Sequence, residues 1–215
     1  AVYDAITAVT PMKTYCIPDC IDFARLHPDP AYRLRETDRD DVCRLLLFGY
    51  SPLVKGLDVA YNACEQLLAR GHKVELSVVS QSKSDVYIQE HYAPYPEWFH
   101  VLPPSNNVSE YYNRADVFLS ASRSEGFSNS LLEAIYCGCA AVFSDIPGTR
   151  WARDFEHTFE YAVESPEALA DAVLRSVATP ITRDEIQRNQ AKARELYSME
   201  TWADSIYDVL TDFHA

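Results

Sequence analysis

Two glutamates and a lysine are the residues of this chain whose types and spacing suggest chemistry. Glu125 and Glu133 stand eight positions apart in SRSEGFSNSLLEAIYCG, residues 122–138. Glu133 has a structural explanation: Ser130-Leu131-Leu132-Glu133 fits the S-x-x-E capping box, in which serine and glutamate satisfy each other's orphan amides at a helix start. Glu125 has none. It follows an apolar run by a few residues, precedes helical periodicity and adjoins Gly126, which permits a tight turn or the close approach of a ligand. The free amides and partial positive charge of a helix start suit a phosphate, and an acid just ahead of it suits hydroxyls, so the stretch fits a ligand carrying both. Lys55, before Gly56 in FGYSPLVKG, is the second candidate. Neither G-x4-G-K-[ST] nor G-x-G-x-x-G occurs there, and a lysine ahead of a helix is by itself ordinarily a solvated surface charge.

These residues need elements to hold them. From Cys43 onward short apolar runs alternate with helical stretches, the pattern of repeated βα units on a parallel sheet. Strands are expected at 43–50, 73–80, 98–103, 116–122 and 140–145, with a weak one at 157–163. Helices are expected at 56–71, ended by Gly71, near 83–91, at 107–115 and from Ser128 toward Gly138. Three more follow, two with start signals: Ser165 before Pro166, and Thr182 three residues ahead of Glu185. Ligands of such sheets bind outside the carboxyl ends of the strands, where Lys55 and Glu125 both fall. Residues 1–40 read as linker-like, rich in proline and mixed charge, with residues 1–10 resembling the end of a helix and a further domain expected ahead of them.

Composition narrows the function classes. The 215 residues are 47% hydrophobic and 24% charged, an ordinary globular balance. With 32 acids against 19 Lys and Arg, the net charge of −13 repels a phosphate backbone, so nucleic acid is not an expected partner. No apolar run reaches the roughly 18 residues a membrane span needs and no signal peptide is visible, so the expected location is cytoplasmic. Cys16, Cys20, Cys43, Cys64, Cys137 and Cys139 match no zinc spacing and read as free thiols. His72 and His100 read as structural. So do the three tryptophans, Trp151 after Gly148 being the one that could face a cleft, and Tyr111 and Tyr112 read as cover for the sheet.

EGFSNSLLEA at 125–134 resembles the E-x7-E signature of retaining glycosyltransferases of family 4, and FGYSPLVKGLDVA resembles their G-R-x4-K-G-x-D segment. ADVFLSAS, CGCAAVFSD and SPEALADAV follow in the family's order, and CIPDCIDFARLHP resembles its interdomain segment. The resemblance implies a Rossmann-like parallel sheet sandwiched by helices, the C-terminal half of a GT-B architecture, with residues 41–215 binding a nucleotide diphosphate sugar such as a UDP- or GDP-sugar without a metal or other cofactor. It assigns the donor sugar's hydroxyls to Glu125, the leaving diphosphate to Lys55, the ribose hydroxyls to Glu133, and diphosphate and sugar to backbone amides of Phe127, Ser128, Asn129 and Ser130 after Gly126. A glycan or lipid-linked acceptor would bind the other half.

The chain departs from that pattern at Tyr50, which stands where the family usually has an arginine; Arg123 or Arg150 are the cations considered in its place. The glycine usual after the second strand is absent from VVSQSKSD. Two rival readings stand beside the transferase: a nucleotide-sugar-binding or regulatory module without turnover, and an epimerase-like relative with other sugar-nucleotide chemistry.

Overall fold

The computed structural model describes residue 8, residues 13–29 and residues 41–212. The helix end expected within residues 1–10 and the charge-rich stretch at 30–40 lie outside the described residues, apart from Ala8.

Six strands form one parallel sheet: β1 (Val42–Phe48), β2 (Lys73–Val79), β3 (Phe99–Leu102), β4 (Val117–Ser120), β5 (Ala140–Ser144) and β6 (Thr158–Tyr161), in the order β3-β2-β1-β4-β5-β6. β1, β4 and β5 are apolar at nearly every position because the central strands are covered on both faces. Leu45 and Leu47 enter one core, and Leu46 and Phe48 the other. The first core lies against α1 (Leu57–Ala69) and α5 (Pro166–Ala178), with Ile88 from α2 (Lys83–Tyr92). The second lies against α3 (Ser109–Arg114) and α4 (Asn129–Tyr136), with Tyr197 from α6 (Arg183–Tyr197). α7 (Met199–Asp212) completes the described chain and buries none of its residues.

The local signals sit where the sequence placed them. α1 closes in a Schellman motif: Gly71, at φ 86°, donates to Leu68 O and His72 donates to Leu67 O. Ser165 caps α5 through Ala168 N ahead of Pro166, and Thr182 and Glu185 form the capping box of α6. β6 is a true edge strand despite its weak pattern. The loop after β2, without glycine, turns through Ser82 at φ 53°.

Residues 13–29 belong to the same body. Ile21, Phe23 and Leu26 are buried in the second core, and Ile21 N donates to Tyr197 O at 3.0 Å beside a parallel bridge to Ser198. Lys13 and Tyr15 both bond Asp212. Among the described residues no helix is long and apolar enough to cross a membrane.

Candidate functional site

The strand order reverses between β1 and β4, and the loops that follow these two strands carry Lys55 and Glu125. Gly56 closes the first loop in the left-handed region, φ 67°, where a Cβ would lie 2.0 Å from Ala121 O; a glycine is required on both counts. The loops therefore touch backbone to backbone, and Arg123 N donates to Val54 O at 2.8 Å. Their side chains meet: Lys55 Nζ lies 2.5 Å from Glu125 Oε1, which also accepts from Ser122 Oγ at 2.7 Å.

A second support comes from β5. Ser144 Oγ donates to Ser122 O and Thr149 Oγ1 donates to Ser144 O, each at 2.6 Å and fully buried. Gly148 then presses on the Glu125 backbone so closely that a Cβ would sit 2.2 Å from Glu125 O. Gly126, by contrast, faces open space. The carboxylate of Glu125 is thus fixed from below while the chain beside it stays accessible, the arrangement a ligand-binding turn needs.

α4 starts beside it. Its N-cap is Ser128, in extended conformation and without a side-chain capping bond; its Oγ is buried and unpartnered. Ser130 lies inside the helix, so the capping-box reading of Ser130 and Glu133 is overturned. The Glu133 carboxylate, 6% exposed, turns instead to tertiary partners: Tyr112 Oη donates to Oε2 at 2.8 Å and Arg25 Nη2 to Oε1 at 2.9 Å. Tyr112 also reaches Ser130 O at 3.2 Å. Burial, then the Glu133 charge, pushes the Tyr112 phenol well up, so it stays a donor at every physiological pH. The amides of Asn129 and its neighbours remain the orphan donors of a helix start, and the Asn129 side chain is held by Asp19 at 2.8 Å.

Tyr50 is half-exposed at the end of β1. Its carbonyl accepts from Ser84 Oγ at 2.6 Å, and burial, Tyr111 and Glu133 raise its phenol in that order, so it brings no charge. Both arginines considered as its substitute hold acids in this structure, as Lys55 does. Arg123 forks onto both oxygens of Asp58 at 2.9 and 2.8 Å and holds Glu164 at 2.8 Å. Arg150 is taken by Asp145 at 2.6 Å. Trp151 stacks on Phe127 at 4.8 Å and donates to Gly148 O, which ties it to the glutamate loop.

Sequence reasoning missed Arg25, Ser122 and the part Tyr112 plays beyond packing. Arg25 and Glu133 are 108 positions apart, and no local pattern signals a contact of that range. Two cavities of ≈ 350 Å³ lie elsewhere, one around Cys43, Asp116 and His157 at the amino ends of β1, β4 and β5, the other around Arg44, Glu75 and His100; neither is lined by Lys55, Glu125 or Glu133. None of the six cysteines forms a disulfide.

The family profile described as glycosyl transferases group 1 matches residues 43–179. No curated protein sequence matches the chain. Among solved structures it is similar to sucrose-phosphate synthase from Thermosynechococcus elongatus, with a TM-score of 0.76 and 19% identity over 94% of this chain and 53% of that one. A glycosyltransferase from Rickettsia africae gives 0.68 and 17%, over 81% and 48%. Anabaena HepE in complex with UDP and glucose gives 0.70 and 17%, over 92% and 56%. The chain thus spans about half the length of these structures, and at such identities the likeness shows the fold.

Proposed function

Because this chain belongs to the group 1 glycosyl transferases, we propose that it carries the donor-binding half of a retaining, family 4 glycosyltransferase that moves a sugar from a nucleotide diphosphate sugar to a glycan or lipid-linked acceptor. The observation that carries the reading is the convergence of Lys55, Glu125 and the start of α4 on the reversal point of the sheet. HepE, solved with UDP and with UDP-glucose, supports a nucleotide sugar as the ligand class.

In this reading no metal takes part. Breaking the bond between the anomeric carbon and the diphosphate leaves negative charge on phosphate oxygens. The α4 amides are fixed donors for that charge, preorganised groups that lower a barrier because they need not reorganise as it forms, and Lys55 exchanges Glu125 for a phosphate oxygen. Glu125, held by Ser122, accepts from hydroxyls of the donor sugar. It acts as a positioning group, not a nucleophile. Glu133 accepts from the ribose hydroxyls, and Phe127, Ser128, Asn129 and Ser130 present backbone to the diphosphate beside Gly126.

A second reading, a binding module without turnover, draws on neutral Tyr50 and on the commitment of Arg123 and Arg150 elsewhere. Calorimetric titration with UDP, GDP and their sugar conjugates, in the presence of EDTA, tests both. Saturable binding weakened roughly tenfold or more by Lys55→Ala and by Glu133→Ala is expected from the loss of charged hydrogen bonds. Binding that both substitutions leave untouched would sink the donor-site assignment. Tyr50→Arg discriminates between the readings: tighter binding favours a site disabled by its missing cation, and unchanged affinity favours the transferase.

A further inference from the structure

The Glu133 carboxylate is held from outside the sheet and its helices, and that hold defines a further donor-site residue. We propose that Arg25 is a positioning residue for donor recognition: by pinning Glu133 Oε1 it sets the carboxylate to accept hydroxyls of the ligand's ribose. The inference rests on the assignment of Glu133 to the ribose.

Glu133 is almost wholly buried, and a buried carboxylate is tolerated only when it is paired and its lone pairs are used. Tyr112 occupies Oε2 and Arg25 occupies Oε1. A carboxylate has about four acceptor sites, so these two bonds fix its orientation and still leave capacity for a pair of hydroxyls. Tyr112 comes from α3, inside the second core. Arg25 comes from the last residue of a 3₁₀ turn, Phe23–Arg25, whose first amides are capped by Asp22.

That turn is anchored at both ends. Ile21 N bonds Tyr197 O on one side. On the other, His27 N donates to Ser109 Oγ at 2.9 Å, while Asn113 accepts from Asp29 N and donates to His27 O. Arg25 therefore reaches Glu133 from a fixed backbone. Its side chain is 58% exposed against 7% for that of Glu133, so Arg25 both compensates the charge of a buried carboxylate and sets its direction, and ligand preference rather than stability separates the two roles. The guanidinium meets Glu133 through one nitrogen, Nη2.

The test is the preference for ribose over 2′-deoxyribose, measured by calorimetry on the whole chain with UDP or GDP, whichever binds tighter, and its 2′-deoxy counterpart. The wild-type protein should prefer the ribonucleotide roughly tenfold or more, the value of a hydrogen bond to a charged group. Arg25→Ala should shrink that ratio toward one at a temperature where circular dichroism shows the variant fully folded, and Arg25→Lys should restore part of it. A wild-type ratio retained by Arg25→Ala overturns the inference and leaves the donor site standing. Equal losses for both nucleotides, with the ratio kept, also overturn it, by assigning Arg25 to the phosphates. A wild-type protein that binds neither nucleotide, or does not discriminate between them, removes the Glu133 assignment itself and this inference with it.

Discussion

At the scale of single residues, the candidate site is a set of acids and bases that have already answered one another. Lys55 and Glu125 are paired, and Glu133 is divided between Tyr112 and Arg25. In the proposed reading the ligand's anion draws Lys55 from Glu125 and its hydroxyl takes the vacated carboxylate oxygen, while Arg25 and Tyr112 stay on Glu133. The weight on geometry is clearest at Gly148, where an added Cβ would meet Glu125 at 2.2 to 2.8 Å. Gly148→Ala should therefore displace the Glu125 loop, lowering stability by about 1 to 3 kcal/mol as overpacking does and weakening nucleotide-sugar binding in the same protein. Thermal unfolding alongside calorimetry checks this, and full affinity in a well-folded variant would show that the loop is not held by Gly148. Type and neighbourhood single out Lys55 and Glu125, which the structure brings together; the close approach that requires glycine at 56 has no signal in the sequence. Glu133 was legible as a residue but not by its partners, because Ser130 mimics a cap that the backbone places two residues earlier, at Ser128. Arg25 was illegible, since only tertiary packing brings it to α4.

At the scale of elements, sequence pattern and structure run closely together because each element is specified twice, by periodicity and by its ends. The Gly71 turn, the Ser165 cap and the Thr182 box all appear as local chemistry requires. β6 reads weakly because an edge strand, half-covered, needs no continuous apolar run. The capping box of α6 is far from the candidate site, and this separates the two kinds of effect: Thr182→Ala should cost about 1 kcal/mol of stability, the usual worth of an N-cap, and leave nucleotide affinity unchanged. Chemical denaturation with a parallel titration would detect either departure. α7 behaves differently. Its amphipathic pattern predicts a helix correctly, but Trp202, Tyr207 and Leu210 stay exposed on it, so its apolar side is not explained by packing among the described residues.

At the scale of the whole molecule, the described residues supply groups suited to a donor, and none of the assigned candidates addresses an acceptor. The chain also spans about half the length of the structures it resembles. We therefore expect nucleotide-sugar binding without transfer when this chain is incubated with a donor and simple glycan acceptors; clear product by mass spectrometry would refute it. The parallel sheet was readable from the alternation of strands and helices. The union of residues 13–29 with the far end of the chain was not, because Lys13 and Asp212 meet across 199 positions. Contacts of that span carry a large loop-closure entropy. Arg25 sits four residues beyond Ile21, on the piece that arrives with this closure. A ligand that depends on Arg25 thus recognises only molecules in which residues 13–29 have met the far end of the chain. By mass action the same ligand draws the chain toward that state, becoming a clasp on a seam that it need never touch.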